Sequence, residues 1–260
     1  MEEVMTKETE LNGETQAAPQ KPVDMPVLEE MMKAGLFIGR KNSKTHPRMR
    51  KFIFGTRNHS SVIDLEETLL LLESAIEFVK NKVAAKGTVL FVGTTPAAKK
   101  TVEETAKRLL APYVTERWLG GTLTNFKTLS KRVSYFKKLK SDRQSGRLDK
   151  YTKKERLDFD RKIAKMTVMF SGLEEMQALP DMLLVMDVNS NMTAVREAKK
   201  LKIPVVGVMN TDTDPELVTY PIPANDRSKA SLDWVLGQFE KAVMEGKSVQ
   251  AKAAGEKLNQ

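Results

Sequence analysis

The chain has 260 residues, 40% of them apolar and 30% charged, a globular composition long enough to bury a core. Its 43 basic and 34 acidic residues leave a net charge of +9, an excess that favours a polyanionic partner. With no cysteine and only His46 and His59, disulfides, thiolate metal sites, cysteine nucleophiles and multi-histidine metal sites are excluded, and no apolar run reaches the length of a membrane span.

In chain order, residues 1–26 hold few large apolar side chains, several Glu, and Pro19, Pro22 and Pro26. They predict a disordered acidic tail. The polar start Met1-Glu2-Glu3 resembles neither a secretory signal nor an Arg-rich transit peptide, which points to the cytoplasm. Residues 41–52 read as a basic loop without strong periodicity, followed by Phe52-Ile53-Phe54-Gly55-Thr56-Arg57-Asn58. Lys41, Lys44, His46, Arg48, Arg50, Lys51, Arg57 and Asn58 suit phosphate and sugar contacts on folded RNA. An exposed, solvated loop explains the same residues equally well.

Asp64 with Glu67 fits a capping box, and Leu65, Leu69, Leu72, Ile76, Val79 and Val83 then mark one buried helical face. Gly87 ends that helix. Residues 88–92 form a short, uniformly apolar run, the mark of a strand covered on both faces. Gly93-Thr94-Thr95-Pro96 turns the chain into a helix over 96–110, with proline in its first turn. A phosphate could sit at such a turn, but one glycine and no Walker lysine fit an ordinary strand-to-helix turn better.

Arg117-Trp118-Leu119-Gly120-Gly121-Thr122-Leu123-Thr124-Asn125-Phe126 is the sharpest string. Its glycines allow a tight bend, Thr124 or Asn125 can cap the next helix, and the large apolar body of Trp118 should anchor the base of that helix. Arg117 can reach a phosphate, or pair with Glu116 or a carbonyl. Phe126, Leu129, Val133 and Phe136 recur at three-four-three spacing, and Phe159, Ile163, Met166, Phe170 and Leu173 at four-three-four-three. Both are coiled-coil seams. Ser141, Asp142, Ser145 and Gly146 make the turn between them, and Thr152 with Glu155 forms a capping box for the returning helix. The expectation is an antiparallel helical hairpin; helices of roughly 15–20 residues at about 1.5 Å per residue reach on the order of 25–30 Å. Residues 127–165 carry 15 basic against 5 acidic side chains, so the rest of the chain is close to neutral. Such concentration suggests a contact surface, against the plainer reading of a solvated face. Asn125, Lys127, Lys131, Arg132, Lys137 and Lys138 join Arg117 as candidate RNA contacts.

Residues 182–186 form a strand ending at Asp187, Asn191 caps a helix through Leu201, and residues 204–209 are another buried strand. Residues 220–223 are an edge piece, and Asn225 and Asp226 open a last helix holding Trp234, Val235, Phe239 and Val243. From about residue 246 onward apolar periodicity is lost, which predicts a frayed tail over 247–260. Asp187, Asp212 and Asp214 follow strand ends, where a magnesium site is conceivable, but helix caps and Asx-turns account for them more simply. Alternating buried strands and helices imply a parallel sheet wound with helices on both faces. Neither histidine stands in a nucleophile context, so no catalytic residue, metal ligand or cofactor is assigned.

The string 117–126 resembles the signature of the bacterial small ribosomal subunit protein two family. Met49 to Asn58, Ile63-Asp64-Leu65-Glu66, Phe91-Val92-Gly93-Thr94 and Leu179-Pro180-Asp181 agree with it in order. So do Ile203-Pro204-Val205-Val206-Gly207 and Ile222-Pro223-Ala224-Asn225-Asp226, and the likeness covers roughly residues 27–246. The resemblance implies a flavodoxin-like three-layer α/β domain over 27–121 and 178–246, with an inserted antiparallel coiled-coil hairpin over 122–177. It implies no catalysis. It implies binding to small-subunit ribosomal RNA and to neighbouring ribosomal proteins, with no membrane partner. In many bacteria the family also helps hold the large mRNA-binding first protein of that subunit. This chain departs from the family at Gly35-Leu36-Phe37-Ile38-Gly39-Arg40, where two family histidines are absent. It departs again at Thr95-Pro96, where a lysine is usual, and at Asp226-Arg227, where a second aspartate is usual. The rival reading is a phosphate- or nucleotide-binding enzyme of the same fold; its poor glycine loop and lack of a poised base weigh against it.

Overall fold

The computed structural model describes residues 25–258, so residues 1–24 of the expected acidic tail lie outside the described residues. Helix α1 spans Met25–Lys33. Three short strands come after it, β1 (Ile38–Lys41), β2 (Ile53–Arg57) and β3 (Ser60–Ile63), forming an antiparallel sheet of order β1-β3-β2. The sequence reading has only a basic loop here. Two turns of 3-10 helix, Asn42–Lys44 and Pro47–Phe52, carry the chain between β1 and β2. Asn58 and His59 both take positive φ, 50° and 60°, which makes β2 and β3 a two-residue hairpin of the kind that matches strand twist.

Helix α2 (Leu65–Ala84) starts where expected. The Asp64 carboxylate accepts from the backbone N–H of Glu66 and Glu67, while the Asp64 N–H donates to the Phe52 carbonyl, so the cap is one-sided and not the reciprocal box. Strand β4 (Val89–Val92), helix α3 (Pro96–Arg108) and strand β5 (Tyr113–Val114) come next. Strand β6 (Met182–Met186), helix α6 (Met192–Lys200), strand β7 (Val205–Met209) and strand β8 (Tyr220–Pro223) complete a five-stranded sheet. Every pair in it is parallel, in the order β5-β4-β6-β7-β8. Numbered within the sheet this is 2-1-3-4-5, the flavodoxin order.

Successive strand residues point to opposite faces, and the sheet has a core on each. Phe91, Leu184, Met186 and Val208 pack with α2, α3 and the final helix α7 (Lys229–Leu258). Leu90, Val92, Leu183 and Val185 pack with Ala194, Val195 and Ala198 of α6. Gly93 is needed for close packing: a Cβ there would lie 2.7 Å from Val102 Cγ2 of α3. That gives the lone glycine of the strand-to-helix turn a packing role.

Between β5 and β6 run α4 (Phe126–Gln144) and α5 (Lys153–Phe170). They pack on one another in opposite directions: Arg143 near the end of α4 pairs with Asp160 in the first half of α5 at 2.7 Å, while Phe170 at the end of α5 lies beside Leu129 and Arg132. Of the predicted seam residues, Leu129, Val133, Phe136, Met166, Phe170 and Leu173 are buried, whereas Phe126, Phe159 and Ile163 are half-buried. Thr152 and Glu155 make the predicted capping box.

Three further sequence expectations change. Helix α7 begins at Lys229, later than Asn225 and Asp226 suggest, because Asn225 closes a turn on the Arg227 N–H and Asp226 is buried in an ion pair. Helix α7 also continues to Leu258, through residues expected to fray; Ala, Lys, Gln and Glu there favour helix without needing an apolar stripe. Asn191 occupies the N-cap position of α6 as expected, yet its side chain donates to the Met186 and Asp187 carbonyls and makes no cap bond.

Candidate nucleic-acid interface

The string 117–126 is shaped by one carboxylate that the sequence reading passes over. Glu197 of α6 is buried and accepts from Trp118 Nε1 at 3.1 Å, the Gly121 N–H at 2.8 Å, the Leu123 N–H at 3.0 Å, and both the N–H and hydroxyl of Thr124 at 3.1 Å. Burial alone would raise this carboxyl; the hydrogen bonds from Trp118, Gly121, Thr124 and Leu123 outweigh burial and hold it below the ordinary glutamate value. Gly121 sits at φ +88°, which lets consecutive N–H groups turn toward one acceptor. Trp118 is buried as expected. The signal for Glu197 in the sequence is a carboxylate at an otherwise apolar helix position, between Val195 and Ala198.

This knot fixes the start of α4 and so aims its side chains. Asn125 caps the start of α4 by position but makes no side-chain cap bond, and it is exposed. Lys127, Lys131, Arg132, Lys137 and Lys138 are exposed too. Lys137 stands 3.8 Å from Glu175, whereas Lys127, Lys131, Arg132 and Lys138 have no ion pair among the described residues. Arg117 is exposed, and Glu116, one of the partners open to it, pairs with Lys99.

The basic segment over residues 41–57 is built differently. Met49 and Phe52 are buried and join the apolar cluster that holds Trp118, Leu123, Leu129 and Val133. Residues 47–52 and the base of the helical pair therefore share one face of the parallel sheet. His46 is a corner piece: its N–H donates to the Thr211 carbonyl at 2.8 Å and its Nδ1 accepts the Arg48 N–H. Arg48 bonds Asp214 at 2.6 Å and Glu216 at 3.0 Å. Lys41, Lys44, Arg50, Lys51, Arg57 and Asn58 are exposed, and Lys51 lies over the Phe52 ring. Asn58 belongs to the hairpin turn between β2 and β3.

The aspartates at the strand ends have structural partners. Asp187 accepts the Ser190 N–H and hydroxyl. Asp214 caps a short 3-10 turn at Glu216. Arg40 of β1 reaches Asp212 at 3.2 Å and Asp226 at 2.8 Å, tying the small sheet to the large one. Burial, with the neighbouring charge of Asp187, pushes the Asp226 carboxyl up to about 6 against the pull of Arg40 and Asn210. Among the described residues no three His, Cys, Asp or Glu side chains converge as metal ligands would.

A family described as ribosomal protein S2 matches residues 31–246. A small ribosomal subunit protein uS2 of Dictyoglomus thermophilum is 40% identical over 228 residues, 88% of this chain and 93% of that one. A namesake in Nocardia farcinica is 42% identical, covering 87% of this chain and 79% of its own length. One from Jannaschia sp. is 40% identical over 88% of this chain and 83% of its own. With the match spanning both layers of the sheet and the basic helical pair, the chain belongs to the ribosomal protein S2 family.

Proposed function

We propose that this chain is a structural constituent of the small ribosomal subunit, binds ribosomal RNA and neighbouring ribosomal proteins, and catalyses nothing. The family match carries the reading, and the charge placement supports it: the basic side chains of residues 41–57 and of α4 flank one apolar cluster on one face of the sheet. The α/β body over 27–121 and 178–246 is a rigid mount. Residues 122–177 are an inserted coiled-coil hairpin, held at its base by Glu197, that serves as a contact arm. Binding is by phosphate neutralisation and shape, with counterions released.

Protein neighbours take apolar surface. A groove lined by Leu28, Met32, Phe37, Phe54 and Val62 leaves the Phe54 ring 81% exposed, and we assign it to such a neighbour, with the mRNA-binding first protein of the subunit one of those it suits. Among the described residues no helix is long and apolar enough to cross a membrane. A cytoplasmic location follows from the subunit.

The test is sedimentation. Tagged protein should travel with small subunits at low salt and leave them at high salt. Lys127→Glu, Lys131→Glu and Lys138→Glu together should bring release to lower salt while the melting temperature of the free protein stays unchanged. Retention identical to wild type would remove the arm from the RNA interface. Stabilisation of the free protein by a nucleotide or FMN would revive the enzyme reading.

A further inference from the structure

The two helices of the arm turn different chemistries outward. With 3.6 residues per turn, the side of α4 opposite its seam carries Lys127, Lys131 and Lys138, four and seven residues apart. The corresponding side of α5 carries Leu157, Ala164 and Val168, seven and four residues apart. Leu157 is 50% exposed and Val168 56%, although the inner side of this helix already buries Met166 and Phe170 and half-buries Phe159 and Ile163. A solvated outer face should be polar; an amphipathic helix with a second apolar stripe has a second surface to cover.

The flanks of that stripe are positive. Lys153 borders one side, and Lys154, Arg161 and Lys165 border the other. Lys153, Lys154 and Lys165 have no ion pair among the described residues, and Arg161 stands 3.7 Å from Asp158. We infer that the outward face of α5 docks an acidic amphipathic helix of a neighbouring protein, while α4 alone faces RNA. Apolar side chains at heptad-like spacing pack against a partner helix, and lysines on both margins select Asp and Glu on the partner. An RNA backbone would gain nothing from Leu157, Ala164 and Val168, which offer it no donor. The inference rests on the proposed function, because it places the chain in a multi-protein particle.

A photo-crosslinking residue at position 168 of the full chain, in assembled small subunits, tests it. The expected product is a protein adduct that maps to a segment with acidic residues flanking apolar ones. Changing Lys153→Glu, Lys154→Glu and Lys165→Glu in that chain should cut adduct yield about tenfold, because like charges then face each other across the contact. A probe at position 164 repeats the measurement if the first substitution impairs folding. An RNA adduct, or no adduct from chains that have entered the subunit, overturns the inference and leaves the proposed function standing. A wild-type chain that fails to enter the subunit defeats the proposed function, and the docking surface falls with it.

Discussion

Two buried carboxylates act in opposite senses, and pH separates them. Glu197 is held ionised by donors from the 117–126 string, so its contribution is present above the free glutamate value and lost as pH falls through its lowered folded value. Glu197→Ala leaves Trp118 Nε1 and three backbone N–H groups without their acceptor. We expect a loss of about 3 kcal/mol in urea unfolding at neutral pH, with a shifted Trp118 emission. An unchanged midpoint would mean that water replaces the carboxylate at no cost. Asp226 runs the other way. Its carboxyl is raised from 3.8 to about 6, so the folded state binds its proton more tightly than the unfolded chain does. The stability this residue confers is therefore full at low pH and declines as pH rises from about 4 to about 6, by about 3 kcal/mol at 1.4 kcal/mol per pKa unit. Wild type minus Asp226→Asn, measured by unfolding across that window, isolates the decline; a flat difference would show that Arg40 fully compensates the buried charge.

At the scale of elements, periodicity made most of the fold legible. The apolar runs that became β4, β6 and β7 are buried on both faces, and uniform hydrophobicity was their signal. The α4 and α5 seams followed from three-and-four spacing. The small sheet was hidden because its strands are largely exposed or half-buried, so no uniform apolar run marks them, and basic residues dominate the stretch between them. Its one local signature was Asn58-His59, a pair able to take left-handed φ between two extended runs. Asn58 therefore holds a turn whether or not it meets RNA, and His46 holds a corner. Residues chosen by type alone mix such structural posts with free cations, and only the fold separates Arg48, already bonded to Asp214 and Glu216, from exposed Lys44 and Arg50. Glu197 escaped for the converse reason. Its partners Trp118, Gly121, Leu123 and Thr124 lie 73 to 79 residues away in the chain, so its only local mark is a carboxylate among the apolar positions of α6.

For the whole molecule, the decisive arrangement is that two basic segments distant in sequence are seated on one apolar cluster. Met49 and Phe52 anchor the first beside Trp118, Leu129 and Val133, which anchor the second. Close-packed interiors transmit position, so the sheet presents both segments as one rigid surface. If both grip the same RNA, their phosphate contacts are simultaneous and their counterion releases add. Each phosphate contact contributes about 0.7–0.9 to the slope of log affinity against log salt. Lys44→Glu with Arg50→Glu should lower that slope by about 1.4–1.8, and Lys131→Glu with Lys138→Glu by a similar amount. All four together should lower it by about 2.8–3.6, in titrations of the purified protein against small-subunit ribosomal RNA. A combined effect no larger than that of one pair would show that only one segment touches the RNA. In that case the shared cluster serves folding, and the other segment's charge is free for a protein neighbour.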